Sequence, residues 1–174
     1  MSQAKSKTGG GRKLVRKAAK PTRLTALALA LAGLLATPAT AKHAAPSAGP
    51  VYTPSDLPYP FSSAVQVGDV LYLSGQLGAE DGGGKVVPGG IGPESEQMFK
   101  RIGQTLGAHG LSFDDVFKCS VFLADMADWP AFNTIYARHF KPGRYPARSA
   151  MGVNGLALGA RVEMECWAHK PQQR

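Results

Sequence analysis

The clearest periodicity lies near the C-terminus. Residues 160–168 (ARVEMECWA) alternate, which predicts a β-strand with Val162, Met164 and Cys166 on one face and Glu163 and Glu165 on the other. Phe117–Leu123 is largely apolar and reads as a strand covered by other elements. Ala147–Val153 predicts another strand. Residues 63–67 (SAVQV) and Val70–Ser74, joined by the Gly68-Asp69 turn dipeptide, predict a hairpin over 63–74. Two stretches carry helical spacing instead. In Pro93–Gly110, Met98, Ile102 and Leu106 recur every four residues, Pro93 and Glu94 suit a first turn, and Gly110 suits the close. From Trp129 or Pro130 to Phe140, either Ala131, Ile135 and His139 or Phe132, Tyr136 and Phe140 form a face, with Asp128 as the expected cap.

Between these elements the glycine-rich segment 75–92, the turn 141–146 and residues 154–159 are expected as loops. Residues 42–58, rich in Pro, Ala and Ser, read as a flexible lead-in. The order β-β-α-β-α-β-β predicts an α+β fold, one mixed sheet with two helices on one face. No third helix is predicted to cover the other face, so a partner subunit is the natural cover.

The N-terminal region changes the picture of charge. Residues 1–23 hold eight Lys and Arg and no acid, an apolar run follows over 24–36, and Ala39-Thr40-Ala41 offers small residues at a cleavage site. Together these read as a secretory signal peptide over residues 1–41, so that the chain is expected to be exported, to a bacterial periplasm. An uncleaved anchor or a basic tail are the other readings. The apolar run is well short of the ~20 residues that span a bilayer, so no stable membrane insertion is expected after cleavage. The whole chain is +8. Residues 42–174, however, hold 12 Lys and Arg against 12 Asp and Glu. Their longest basic run is Lys100-Arg101, so nucleic acid is not an expected partner. Two cysteines, Cys119 and Cys166, are too few for a disulfide scaffold. They are expected as buried small apolar residues, although an oxidising compartment permits a bridge.

The sequence offers no metal-ligand cluster and no nucleophile motif: its four histidines are scattered, and no C-x-x-C, H-E-x-x-H or G-x-S-x-G occurs. Arg148 stands out. It opens an apolar strand beside Ala147, Ala150 and Met151, where a desolvated guanidinium needs an anionic partner. That partner is either the carboxylate of a small ligand, which the planar fork matches through two hydrogen bonds, or a Glu on a neighbouring strand. Glu163 and Glu165 share a face, where they are either solvated or line a subunit interface and hold or protonate a substrate.

Three segments resemble the YjgF/RidA family: Leu71-Tyr-Leu-Ser-Gly-Gln76, Tyr145-Pro-Ala-Arg-Ser149 and Val162-Glu-Met-Glu-Cys166. The likeness runs through about residues 58–169 and bounds a domain at 59–170. It implies the chorismate-mutase-like fold and a homotrimer with clefts between subunits. It also implies hydrolysis, without cofactor or metal, of reactive 2-imino acids and their enamine tautomers to 2-oxo acids and ammonia. On this reading Arg148 takes the substrate carboxylate, and Glu163 orients or protonates the substrate and its water. Ser74, Gly75, Phe61, Asn133 and Ala150 line the site. The chain departs from the family pattern at Phe61, where Tyr is usual, at Ala150, where Cys is common, and in loop 154–159, which lacks Leu-Pro. A non-catalytic binder of small carboxylates is the alternative reading, and an endoribonuclease the weaker one.

Overall fold

The computed structural model describes residues 49–170. The described elements follow in the order β1 (Val51–Pro54), β2 (Ser62–Val67), β3 (Val70–Leu73), β4 (Gln76–Leu77), α1 (Ile91–Ala108), β5 (Val116–Leu123), α2 (Trp129–His139), β6 (Ala147–Gly152) and β7 (Val162–His169). All strands join one sheet in the order β1-β2-β3-β7-β5-β6, with β4 also paired to β7. Only β5 and β6 run parallel. A parallel pair needs a crossover, and α2 supplies it.

Alternation along the strands sorts side chains between two faces. Leu71, Leu73, Val121, Leu123, Val162 and Met164 are buried on one face. There they meet Met98, Phe99, Ile102 and Leu106 of α1, and Phe132, Ile135 and Tyr136 of α2. The opposite face carries Val65, Tyr72, Phe122, Trp167, Glu163 and Glu165, and no helix of the described residues packs on it. Trp167 is 36% exposed there and packs edge-on against Tyr72 at 5.0 Å between ring centroids.

β3 and β4 are two pieces of one course along β7. Val70–Tyr72 pair with Trp167–His169, and Gln76–Leu77 pair with Glu163–Met164. The ladder breaks at Ser74-Gly75. Ser74 is tied to β2 across the break, its backbone N–H donating to Ser63 O (3.1 Å) and its hydroxyl to Ser62 O (2.6 Å). Just beyond, the chain passes so close to α1 that a Cβ on Gly78 would lie 2.3 Å from Glu94 O. Glu94 is itself buried, and its carboxylate accepts from the backbone N–H of Arg161 (2.8 Å), fixing α1 to the start of β7.

The expected α+β order is present, with differences at its margins. The lead-in expected through residue 58 contains strand β1, because Val51–Thr53 pair with Ala64–Gln66. The segment expected as loop from Gly75 contains β4 and a bridge between Ala79 and Val86. α1 begins two residues earlier than Pro93, after Gly90 in a left-handed conformation (φ 77°), and ends at Ala108. Asp128 precedes α2 without capping it, because its carboxylate is drawn instead to the Arg161 guanidinium at 2.7 Å. Cys119 and Cys166, expected as separate apolar residues, form a disulfide. They stand directly opposite each other on β5 and β7, both on the helix-covered face. The proposed signal peptide lies outside the described residues.

Candidate active site

Arg148 is carried by β6, at the edge of the sheet and in register with Cys119. It therefore projects to the helix-covered face, toward α2. Trp129 and Tyr136 lie seven residues apart on that helix, two turns, and so share one side of it. Both rings flank the guanidinium, whose Cζ is 4.5 Å from the Trp129 centroid and 4.2 Å from that of Tyr136. Stacking of this kind holds a cation without neutralising it. Among the described residues Arg148 makes no ion pair, and its buried Nη1 has no hydrogen-bond partner. The intrachain Arg–Glu pair allowed by the sequence is thus not formed. The Tyr136 hydroxyl beside it is also buried and unpaired. Burial pushes the Tyr136 phenol up, and the Arg148 charge draws it partly back.

Glu163 lies on the opposite face, near the start of β7. The ladder break at Ser74-Gly75 makes room for it: a Cβ on Gly75 would come within 2.0 Å of Glu163 Oε1. Glycine is required there by a close approach and not by its dihedral angles. Phe61, Gly75 and Glu163 line one groove of about 700 Å³, together with Leu57 and Leu158. The Glu163 carboxyl makes no hydrogen bond or ion pair to the described residues. Its pKa is raised, first by burial and then by the neighbouring charge of Glu165. Both effects favour the protonated acid.

The expected site residues therefore fall into separate groups within one chain. Phe61, Gly75 and Glu163 come together, with Ser74 at the adjoining break. Arg148 and Ala150 lie on β6, facing α2. Asn133 is exposed on α2, outside the groove. From Arg148 to Glu163 is a step of two strands across and three residues along the ladders, each ~10 Å by ordinary sheet spacing. The sheet stands between the two side chains. Sequence reasoning read Trp129 and Tyr136 only as helix positions. Their seven-residue spacing was the available signal that both could face one cation.

Among the described residues no group of His, Cys, Asp or Glu is arranged to hold a metal ion. What the geometry of the described residues offers is a guanidinium lacking an anion and, separately, a half-buried carboxyl in a groove of mixed polar and apolar lining.

Residues 55–170 match the family model described as Endoribonuclease L-PSP. The chain belongs to this family, the YjgF/RidA family. Among YjgF/RidA relatives, the mouse protein named 2-iminobutanoate/2-iminopropanoate deaminase is 45% identical over 109 residues, covering 63% of this chain and 80% of the mouse protein. The human protein of the same name is 41% identical, covering 63% and 79%. Among solved structures, RidA from the Antarctic bacterium Psychrobacter superposes with a TM-score of 0.61 at 33% identity, covering 68% of this chain and 94% of that one. Yeast Mmf1 gives 0.61 at 36% identity, covering 69% and 93%. The YjgF/RidA chain shares with them the chorismate-mutase-like α+β fold.

Proposed function

We propose that this chain hydrolyses small 2-imino acids to 2-oxo acids and ammonia. The observation that carries this reading is the Arg148 guanidinium, partly buried between two aromatic rings and without an acidic partner among the described residues. A carboxylate satisfies it through paired, charge-assisted hydrogen bonds. The names and identities of the mouse and human relatives support the same chemistry.

The reaction asks little of the protein beyond placement. Water adds to the electrophilic C=N carbon, and the carbinolamine collapses with loss of ammonia, leaving the 2-oxo acid. Glu163, inclined to hold its proton, gives it to the imine nitrogen. The resulting carboxylate takes a proton from the attacking water. The groove limits bulk water and fixes the angle of attack.

Because Arg148 and Glu163 lie on opposite faces, one small substrate reaches both only if a second copy brings its own Glu163 to this Arg148. A homotrimer with crevices between subunits meets that need and covers the open face holding Tyr72, Phe122 and Trp167. The YjgF/RidA relationship supports this assembly. Export through cleavage after Ala41 belongs to the same proposal. The buried disulfide supports it, since bridges persist in oxidising compartments. Nucleic acid fits less well, because residues 42–174 carry no net positive charge and no basic run longer than Lys100-Arg101 to neutralise phosphates.

Ammonia release from freshly generated 2-iminopropanoate tests the reading. Arg148→Ala is expected to lower kcat/KM roughly 10- to 100-fold, the value of a charge-assisted pair. A variant as fast as wild type would remove Arg148 from the mechanism. Binding of 2-oxo acids by calorimetry without turnover would instead favour a carboxylate-binding protein.

A further inference from the structure

Leu158 is the one non-glycine residue among the described residues with a positive φ (59°). Its ψ is 14°, in the left-handed region that an L side chain enters only at a cost. The surrounding loop uses glycine at its other left-handed positions, Gly155 (φ 130°) and Gly159 (φ 67°). Glycine or asparagine at 158 would relieve the strain. The leucine side chain is also 45% exposed, so it recovers little by packing within the chain. A strained backbone and a half-exposed apolar side chain thus meet at one residue, and its burial among the described residues only partly offsets them.

Its position suggests what supplies the rest. Turn hydrogen bonds from Gly159 N to Leu156 O (3.2 Å) and from Ala160 N to Ala157 O (3.1 Å) hold the loop just before β7 begins. Leu158 then lines the same groove as Glu163, with Phe61 and Leu57. The groove is mixed in character, with Asp81, Arg101 and His109 also on its lining, so Leu158, Phe61 and Leu57 are the apolar surfaces it offers beside the group that handles the imine. Phe61 is itself 42% exposed and, like Leu158, offers apolar surface to an occupant of the groove.

We propose that Leu158 is a specificity-determining residue that packs on the substrate side chain. The site is thereby selective for 2-imino acids with branched or aromatic apolar side chains over 2-iminopropanoate. This rests on the imine-hydrolysis reading above. The strained backbone aims the leucine into the groove, and the occupant supplies the contacts that its own chain does not.

The test generates imines in place with an L-amino-acid oxidase and catalase from leucine, phenylalanine or alanine, and follows 2-oxo acid formation by full-chain wild type, Leu158→Gly and Leu158→Asn. Wild type is expected to favour the leucine- and phenylalanine-derived imines. Both substitutions are expected to lower kcat/KM for these about tenfold or more, the usual worth of several lost methylene contacts. For the alanine-derived imine the change should stay within about twofold, since a methyl group barely reaches residue 158. Neither substitution should lower Tm, because both residues accept the left-handed backbone. Equal effects on all three imines, or none on any, would overturn the specificity role while leaving the hydrolysis reading intact. No turnover of any imine by wild type would overturn both.

Discussion

Glu163 is held in a groove that raises its pKa, chiefly by burial and secondarily by Glu165. A carboxyl whose folded pKa lies above its unfolded value of ~4.3 contributes stability that is fully present below that value and lost as pH rises through the folded one. At neutral pH its ionised form works against the fold. Glu163→Gln is therefore expected to raise Tm at pH 7, with the gain vanishing near pH 4, while imine turnover falls. Thermal melts across that range check the sign, and a variant less stable at pH 7 would contradict it. Arg148 and Glu163 were legible as candidates because charged groups interrupt apolar or alternating runs. The rings around Arg148 were not legible in the same way, since only the register of β6 on β5 turns the guanidinium toward α2. Leu158 was hidden for the opposite reason: nothing in a leucine announces a left-handed backbone.

At the scale of elements, periodicity located the interior strands and both helices, because each buries one face and the pattern reports burial. It missed β1, whose residues are mostly exposed and whose strand character comes from pairing with β2. It also missed β4, two residues long and too short for a pattern. The Asp128 cap failed because a local propensity lost to a distant guanidinium. The cysteines show a similar limit. An apolar run put Cys119 on a strand and alternation put Cys166 on another, but only the β5–β7 register sets them opposite each other. Their bridge closes a sequence separation of 47 residues. The chain-entropy estimate for such a loop is about 4 kcal/mol. Denaturant unfolding with and without dithiothreitol, with alkylation and mass measurement to score the thiols, should show a loss of that order on reduction. Unchanged stability in the fully reduced protein would mean that packing of β5 on β7 suffices.

At the scale of the molecule, the described residues seal one face of the sheet with helices and leave the other without them, where Tyr72, Phe122 and Trp167 accompany two acids. The neutral balance of residues 42–174 adds no strong net repulsion between copies. The need for a cover was legible in the count of helices. The division of the chemistry between faces was not, since it depends on which way β6 presents Arg148. That division carries a genetic consequence. If a guanidinium from one molecule and a carboxyl from another make each crevice, two different lesions need not add. Arg148→Ala and Glu163→Ala chains, each inert alone, should regain ammonia release when unfolded and refolded together, because some crevices then draw an intact residue from either parent. Rescue in the mixture would make the two alleles complementary. Its absence, with mixed oligomers demonstrated by mass, would return both groups to a single chain.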